Sequence, residues 1–257
     1  MISETFFDYF KDYTDCYVII GGNAASILLA EEGVSFRSTQ DYDMVVLFEK
    51  TTDDFSNTFM NFIKEYDYAI TDQGTKENKR KNYYRFRRRD GTKTDVPKMV
   101  ELFSRKPINY ELHEVPSEIT PLHYDEGPSL SAIILNDDYY ETLKLGVRLE
   151  GNMPLLATPY LILFKARAHL DILKRVMENK HIGHRADKTK HFKDVCRLTS
   201  ILTLGDYDAG PIPETVLNDL REFIKITENT EPTRFKIIDS SLNKAEVVAS
   251  LQELLIE

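Results

Sequence analysis

A chain of 257 residues can bury one large core or two smaller ones. Its formal charge is -9, from 33 Lys and Arg against 42 Asp and Glu, which excludes a surface that is all nucleic-acid footprint but leaves room for a local basic cleft. Cys16 and Cys196, with no CxxC pair, give neither a disulfide framework nor a zinc motif and read as buried thiols.

The N-terminal segment carries Glu4, Asp8 and Asp12 among its aromatics, unlike a secretory signal or an arginine-rich transit peptide. Ser3 is placed to cap a short helix with Phe6, Phe10 and Tyr13 at helical spacing. Tyr17 to Ile20 predicts a strand closed by Gly21-Gly22, and Asn23 to Glu32 a helix ended by Gly33. Tyr42 to Phe48 predicts a second strand, and Thr51 or Thr52 caps a helix carrying Phe55, Phe59, Phe62 and Ile63. Tyr83 to Arg89 alternates aromatic and basic residues, Asp90-Gly91 reads as a hairpin turn, and Lys98 to Phe103 as the next strand. Pro107 to Pro128 reads as loops with one short strand, and Ser131 to Leu135 as the last strand of the domain.

Beyond Asp137 the pattern turns helical. A small helix and a hairpin around Gly151-Asn152 precede Thr158-Pro159, a cap and first-turn proline for a helix to about Glu178. Asp187 to Leu202, Pro213 to Glu228 and Leu242 to Ile256 complete the set. The expected architecture is an α/β (α+β) mixed-sheet domain over residues 1–136 and a mainly helical domain over 137–257. The most apolar run, Tyr160 to Phe164, is far shorter than a membrane span, so a cytoplasmic protein without a membrane partner is expected.

Asp41-Tyr42-Asp43 carries the most chemistry. Residues i and i+2 of a strand point the same way, so both carboxylates leave one face. Two crowded carboxylates repel unless a cation sits between them, and Mg2+, as one ion or two, suits oxygen ligands and triphosphates. Gly21-Gly22 lets backbone amides approach a phosphate, and the helix that follows aims its positive end there. Ser26, Arg37, Ser38 and Thr39 are polar groups within reach of the same spot. The chain has no GxGxxG and no Walker lysine, so it is neither a dinucleotide fingerprint nor a P-loop.

From Lys76 to Lys98 there are ten basic residues and three acidic ones. Alternation puts Arg85, Arg87 and Arg89 on one strand face and Tyr84, Phe86 and Arg88 on the other. Arginines clamp phosphates and aromatic faces stack bases, whereas the structural alternative is an edge strand protected by charge. Lys165 sits in the otherwise apolar run Tyr160 to Ala166, where it either snorkels or meets a negative group. On the next helix Lys190, Asp194 and Arg197 share one stripe, and His191, Val195 and Leu198 another, which makes His191 a packed residue.

Strand, Gly21-Gly22, helix and then Asp41-x-Asp43 resembles the nucleotidyltransferase superfamily, and GGNAASILLAEEGVSFRSTQDYDMVV looks most like its AbiEii-type branch, which includes toxins of toxin–antitoxin and phage-defence systems. The resemblance covers residues 17–48, then 98–105 more weakly, and 158–198. It implies a Mg2+-dependent nucleotidyltransferase that moves a nucleoside monophosphate from an NTP to an acceptor hydroxyl. RNA or tRNA, a protein or a small molecule are the acceptors in such families, and a cognate antitoxin is an implied partner. A third acid normally completes the metal site. Glu101, set between Val100 and Leu102 in an apolar strand, is favoured over Asp95, which precedes Pro97. In this reading Asp41, Asp43 and Glu101 hold metal, and Gly21, Gly22, Ser26, Arg37, Thr39 and Arg85 meet phosphate. Lys165, Lys190 and Asp194 match the family's later motifs, which the resemblance implies line the cleft opposite the acids, the lysines binding the triphosphate and Asp194 supporting deprotonation of the acceptor. The chain has Arg197 where a second aspartate stands in the family. The alternative class is a nucleotide- or RNA-binding protein without catalysis on the same fold.

Overall fold

Ser3 accepts a hydrogen bond from the Phe6 amide and caps α1 (Glu4–Tyr9), the first of the elements seen in the computed structural model. Residues 3–37, 39–73, 80–89, 95–105, 119–122, 130–178, 188–205 and 207–256 are described. Two units divide the chain: Met1–Ile27, Arg37–Tyr140 and Val147–Leu156 in the first, Leu28–Phe36, Glu141–Gly146 and Ala157–Glu257 in the second.

The first unit is built on a mixed sheet. β1 (Tyr17–Ile20) runs straight into α2 (Gly21–Glu31), then follow β2 (Asp41–Val46), α3 (Asp53–Glu65), β3 (Tyr68–Gln73), β4 (Arg80–Arg88), β5 (Met99–Ser104), β6 (Ile119–Leu122) and β7 (Leu130–Ile134). After α4 (Asp137–Leu145), the hairpin of β8 (Val147–Glu150) and β9 (Met153–Leu156) adds to the same sheet. The strand order is β3-β4-β5-β2-β1-β9-β8, with β7 on β5 and β6 on β7. β2 is antiparallel to β1 and parallel to β5, and β9 is parallel to β1.

Alternation along these strands sorts the sheet into two chemically different faces. Tyr17 and Ile19 of β1, Tyr42, Met44 and Val46 of β2, Val100 and Leu102 of β5, and Tyr84 and Phe86 of β4 share one face by register, and all are buried. α1 and α3 pack aromatics against that face. Phe6 meets Tyr42 at 5.0 Å and Phe62 at 5.4 Å between ring centroids, and Phe59 meets Phe86 at 5.3 Å. The Tyr42 hydroxyl accepts from the Ser3 amide, so the cap of α1 is tied to the centre of the sheet. Thr52 caps α3 by accepting from the Phe55 amide, in keeping with the sequence.

The second unit is helical: α5 (Thr158–Met177), α6 (Lys190–Leu198) continued by a 3-10 turn at Thr199–Ile201, α7 (Glu214–Glu228), α8 (Pro232–Ile238) and α9 (Lys244–Glu253). α5 packs on α6 and α7, and α7 on α9. Cys16 and Cys196 are free and buried, and burial above all pushes both thiols up to about 12. No described helix is long and apolar enough to cross a membrane.

Three local expectations shift. α2 starts on Gly21 and not near Asn23, because Gly21 at φ 70° turns the chain from strand to helix in one residue. The cap of α5 is Ala157, with Thr158 inside the first turn beside Pro159, and no side chain bonds the free amides there. β3 and α8 are elements the residue pattern did not announce. The Asp90-Gly91 hairpin and the start of the helix expected at Asp187 lie outside the described residues.

Phe62 is fully buried and its ring lies within 5.6 Å of those of Phe6, Phe10, Tyr66 and Tyr68. Phe62→Ala is expected to lower the unfolding free energy in urea by about 3–5 kcal/mol, the cost of emptying a site that rigid neighbours cannot collapse into. A loss under about 1 kcal/mol would mean that this aromatic cluster is not the core of the unit.

Candidate active site

The sheet face opposite the aromatics carries the charges. Register sets Ile20, Asp43, Glu101 and Arg85 side by side across β1, β2, β5 and β4, and Asp41, Met99 and Arg87 form the next row. Side chains directly opposite on adjacent strands point to one face. Asp41, Asp43 and Glu101 therefore share a face, with Asp41 exposed, Asp43 half-buried and Glu101 buried. Of the two candidates for a third acid, Glu101 is the strand neighbour of Asp43. Asp95 is placed elsewhere: its carbonyl accepts from the Ser3 hydroxyl, and its carboxylate is 3.5 Å from Thr5 Oγ1.

Glu101 is not an isolated charge. Arg85 donates to its Oε1 from Nη2 at 2.6 Å and from Nε at 3.2 Å. Among the described residues, no three Asp, Glu, His or Cys side chains gather closely enough to hold a metal as they stand.

Gly21 faces Asp43. A methyl built on Gly21 would overlap the Asp43 carboxylate, with Cγ 2.8 Å away. The residue must therefore be glycine twice over, for its φ and for the room it leaves the acid. At Gly22 a methyl would lie 2.9 Å from Thr39 Cγ2 and 3.1 Å from Arg37 Nη2. Arg37 and Thr39 thus close over the first turn of α2. Thr39 Oγ1 is buried with no hydrogen-bond partner. Ser26 is half-buried one turn further along the helix.

Asn23 was missed in the sequence. It is buried, and its Nδ2 donates to the Asp41 carbonyl at 2.6 Å, which fixes the start of β2 to the start of α2. Its Oδ1 is buried without a partner. The available signal was its position directly after the glycine pair.

β4 corrects one expectation. Tyr84 and Phe86 are buried in the aromatic core, with Phe86 only 1% exposed, so neither is placed to stack a base. The arginines on the other face remain, with Arg87 exposed and Arg85 on Glu101.

In the helical unit the structure joins two predicted residues into one pair. Lys165 Nζ of α5 donates to Asp194 Oδ2 of α6 at 2.7 Å, and their side chains are 4% and 1% exposed. Lys190 begins α6 and is exposed. His169 is packed between Phe192 and Phe223, and its Nδ1, like that of His191, is buried without a partner. Burial first, and then the charges of Lys165 and Lys190, hold the His191 imidazole down to about 4. His191 is therefore a neutral packed ring, as its apolar stripe suggested.

No protein-family model matches the chain, and no curated protein matches it.

Gly21→Ala is expected to lower the melting temperature in metal-free buffer by combining a strained φ, worth about 1–2 kcal/mol, with a clash on Asp43. Adding Asp43→Gly should recover the clash and leave the strain. Equal losses in the single and double variants would show that the two residues are not in contact.

For His191 the pH dependence has a definite sign. Its folded pKa of about 4 lies below the ordinary 6.5, so between those values the unfolded chain holds the proton and the folded chain does not. Its contribution is complete above that upper value and is lost as pH falls through the lower one. Stability by urea denaturation should drop by about 2 kcal/mol from pH 7 to pH 5 through this residue. The test is His191→Leu, which should flatten that part of the slope; an unchanged slope would mean the ring is solvated.

Proposed function

We propose that this protein is a metal-dependent nucleotidyltransferase, moving a nucleoside monophosphate from a nucleoside triphosphate to an acceptor hydroxyl. The observation that carries the reading is the placement of Asp43 against Gly21, which brings a carboxylate to the amide end of a helix, with Asp41 and Glu101 on the same sheet face. Acids at a helix N-terminus beside a glycine pair suit a cation and a phosphate bound together. The donor set is all oxygen, which fits Mg2+ better than a softer ion.

Asp41 and Asp43, with Glu101 as third acid, would hold a divalent ion, which would supply positive charge to offset the negative phosphate oxygens and the leaving pyrophosphate. The amides of Gly21 and Gly22, the positive end of α2, Ser26, Arg37 and the unpartnered Thr39 hydroxyl bind the phosphate chain and hold it in line. Asn23 keeps Asp41 in register with that turn. As the acceptor oxygen bonds to the α-phosphorus, the bond to pyrophosphate breaks, and the proton of the acceptor hydroxyl passes to water. The arginines of β4 favour RNA or tRNA as acceptor, through backbone contact and not base stacking. For Lys165, Lys190 and Asp194 the proposal stays within their own unit: the buried pair holds α5 to α6, and Lys190 offers an exposed cation at a helix start.

A structural reading of the acids has one observation in its favour, the Arg85–Glu101 ion pair. Calorimetry separates the two readings. Asp41→Asn and Asp43→Asn should each weaken Mg2+-dependent triphosphate binding and label transfer by about a hundredfold, the scale of one lost electrostatic contact. Their melting temperatures in EDTA should hold or rise, since one repelling carboxylate is gone. Melting temperatures that fall in EDTA, with no Mg2+-dependent binding by the parent protein, would establish the ion-pair network instead.

A further inference from the structure

Glu101 is beside Asp43 by register, yet its carboxylate is already occupied by Arg85. Both contacts from the guanidinium fall on Oε1. Arg85 stands directly opposite Glu101 on β4, and its side chain is 34% exposed where that of Glu101 is 9%. Clearing the acid asks for a rotation of the arginine side chain towards the solvent that already reaches it. The acid itself is fixed in the middle of a strand.

We propose that Arg85 is an exchangeable counter-ion. It neutralises Glu101 in the ligand-free protein, gives way to a divalent cation, and pairs with the phosphate chain that arrives with that cation. The inference rests on the reading of this face as a metal–triphosphate site, and it assigns Arg85 two anions in succession, Glu101 and then the phosphate chain. A buried carboxylate left bare is costly, and a guanidinium and a metal ion crowded on one carboxylate repel each other. The exchange avoids both, because Glu101 keeps a cation throughout and Arg85 moves from one anion to another. The consequence is positive coupling. A metal ion alone must expel the guanidinium with no new anion to receive it, whereas a metal ion with a triphosphate brings that anion along. Arg87, on the same face two residues on, stays available as a further cation for the chain.

The test is calorimetry on the full chain with Mn2+ alone, and then with Mn2+ and a non-hydrolysable nucleoside triphosphate. Arg85→Ala should bind Mn2+ alone about tenfold more tightly than the parent protein, the lower range of what one adjacent charge does to an ionic equilibrium. The same variant should lose coupling between Mn2+ and the nucleotide by a similar factor. Adding Glu101→Gln should abolish the gain in Mn2+ affinity. If Arg85→Ala melts below the assay temperature, Arg85→Gln keeps the first part of the stem with a neutral polar end and serves in its place. An Arg85 variant that binds Mn2+ no more tightly, or a gain that survives Glu101→Gln, overturns the exchange. Failure of the underlying reading has a different signature: Mn2+ and nucleotide binding that are undiminished in Asp41→Asn and Asp43→Asn, or that are absent from the parent and the Arg85 variant alike.

Discussion

Parallel pairing of β2 with β5 puts Asp43 and Glu101 on adjacent strands, about 4.8 Å apart at the backbone, on one face of the sheet. Two carboxylates at that spacing repel each other unless positive charge is brought to them. Much of the local structure supplies it. Arg85 reaches Glu101 from the next strand, and α2 points its amide end at the turn that receives Asp43. The opposite face contributes rigidity. Its aromatics lock β1, β2, β4 and β5 beneath α1 and α3, so the charged row cannot relax by spreading the strands.

Sequence periodicity reached the parts that depend on near neighbours. Tyr17 to Ile20 as a strand, the Thr52 cap, the common face of Asp41 and Asp43, and Tyr84 alternating with Arg85 all follow from spacing. What it could not reach depends on pairing at a distance. Glu101 could be favoured over Asp95 because a charge in an apolar strand wants a partner, but which residue partners it is a matter of register between strands. Nothing in the local pattern of residues 147–156 says that β9 lies alongside β1. Lys165 and Asp194 are 29 residues apart in sequence and meet only through helix packing. Asn23 looked like an ordinary first-turn residue until its amide met the Asp41 carbonyl.

The two ion pairs obey different physics. Lys165–Asp194 is shut away from water on both sides, so loss of either partner strands a buried charge, and the pair behaves as part of the helical core. Arg85–Glu101 is half open, since one partner keeps contact with solvent. Solvent screening weakens such a bridge. The resemblance placed a lysine, an arginine and two acids in one functional list, and burial divides them into a pair shut off from water and a pair that water reaches.

The junction of β1 and α2 has no connecting loop: the strand ends at Ile20 and the helix begins on the next residue. Phosphate-binding segments are commonly loops that must lose conformational freedom when a ligand arrives, and that loss is subtracted from affinity. Here the strand, the helix start and, through Asn23, the first residue of β2 are positioned by the fold before anything binds. In the proposed reading an anion meeting this turn would find its donors in place, so encounter and capture would become nearly the same event. The price of such readiness is tolerance, because a site that does not reshape itself around one ligand has little means of refusing another of the same charge and size.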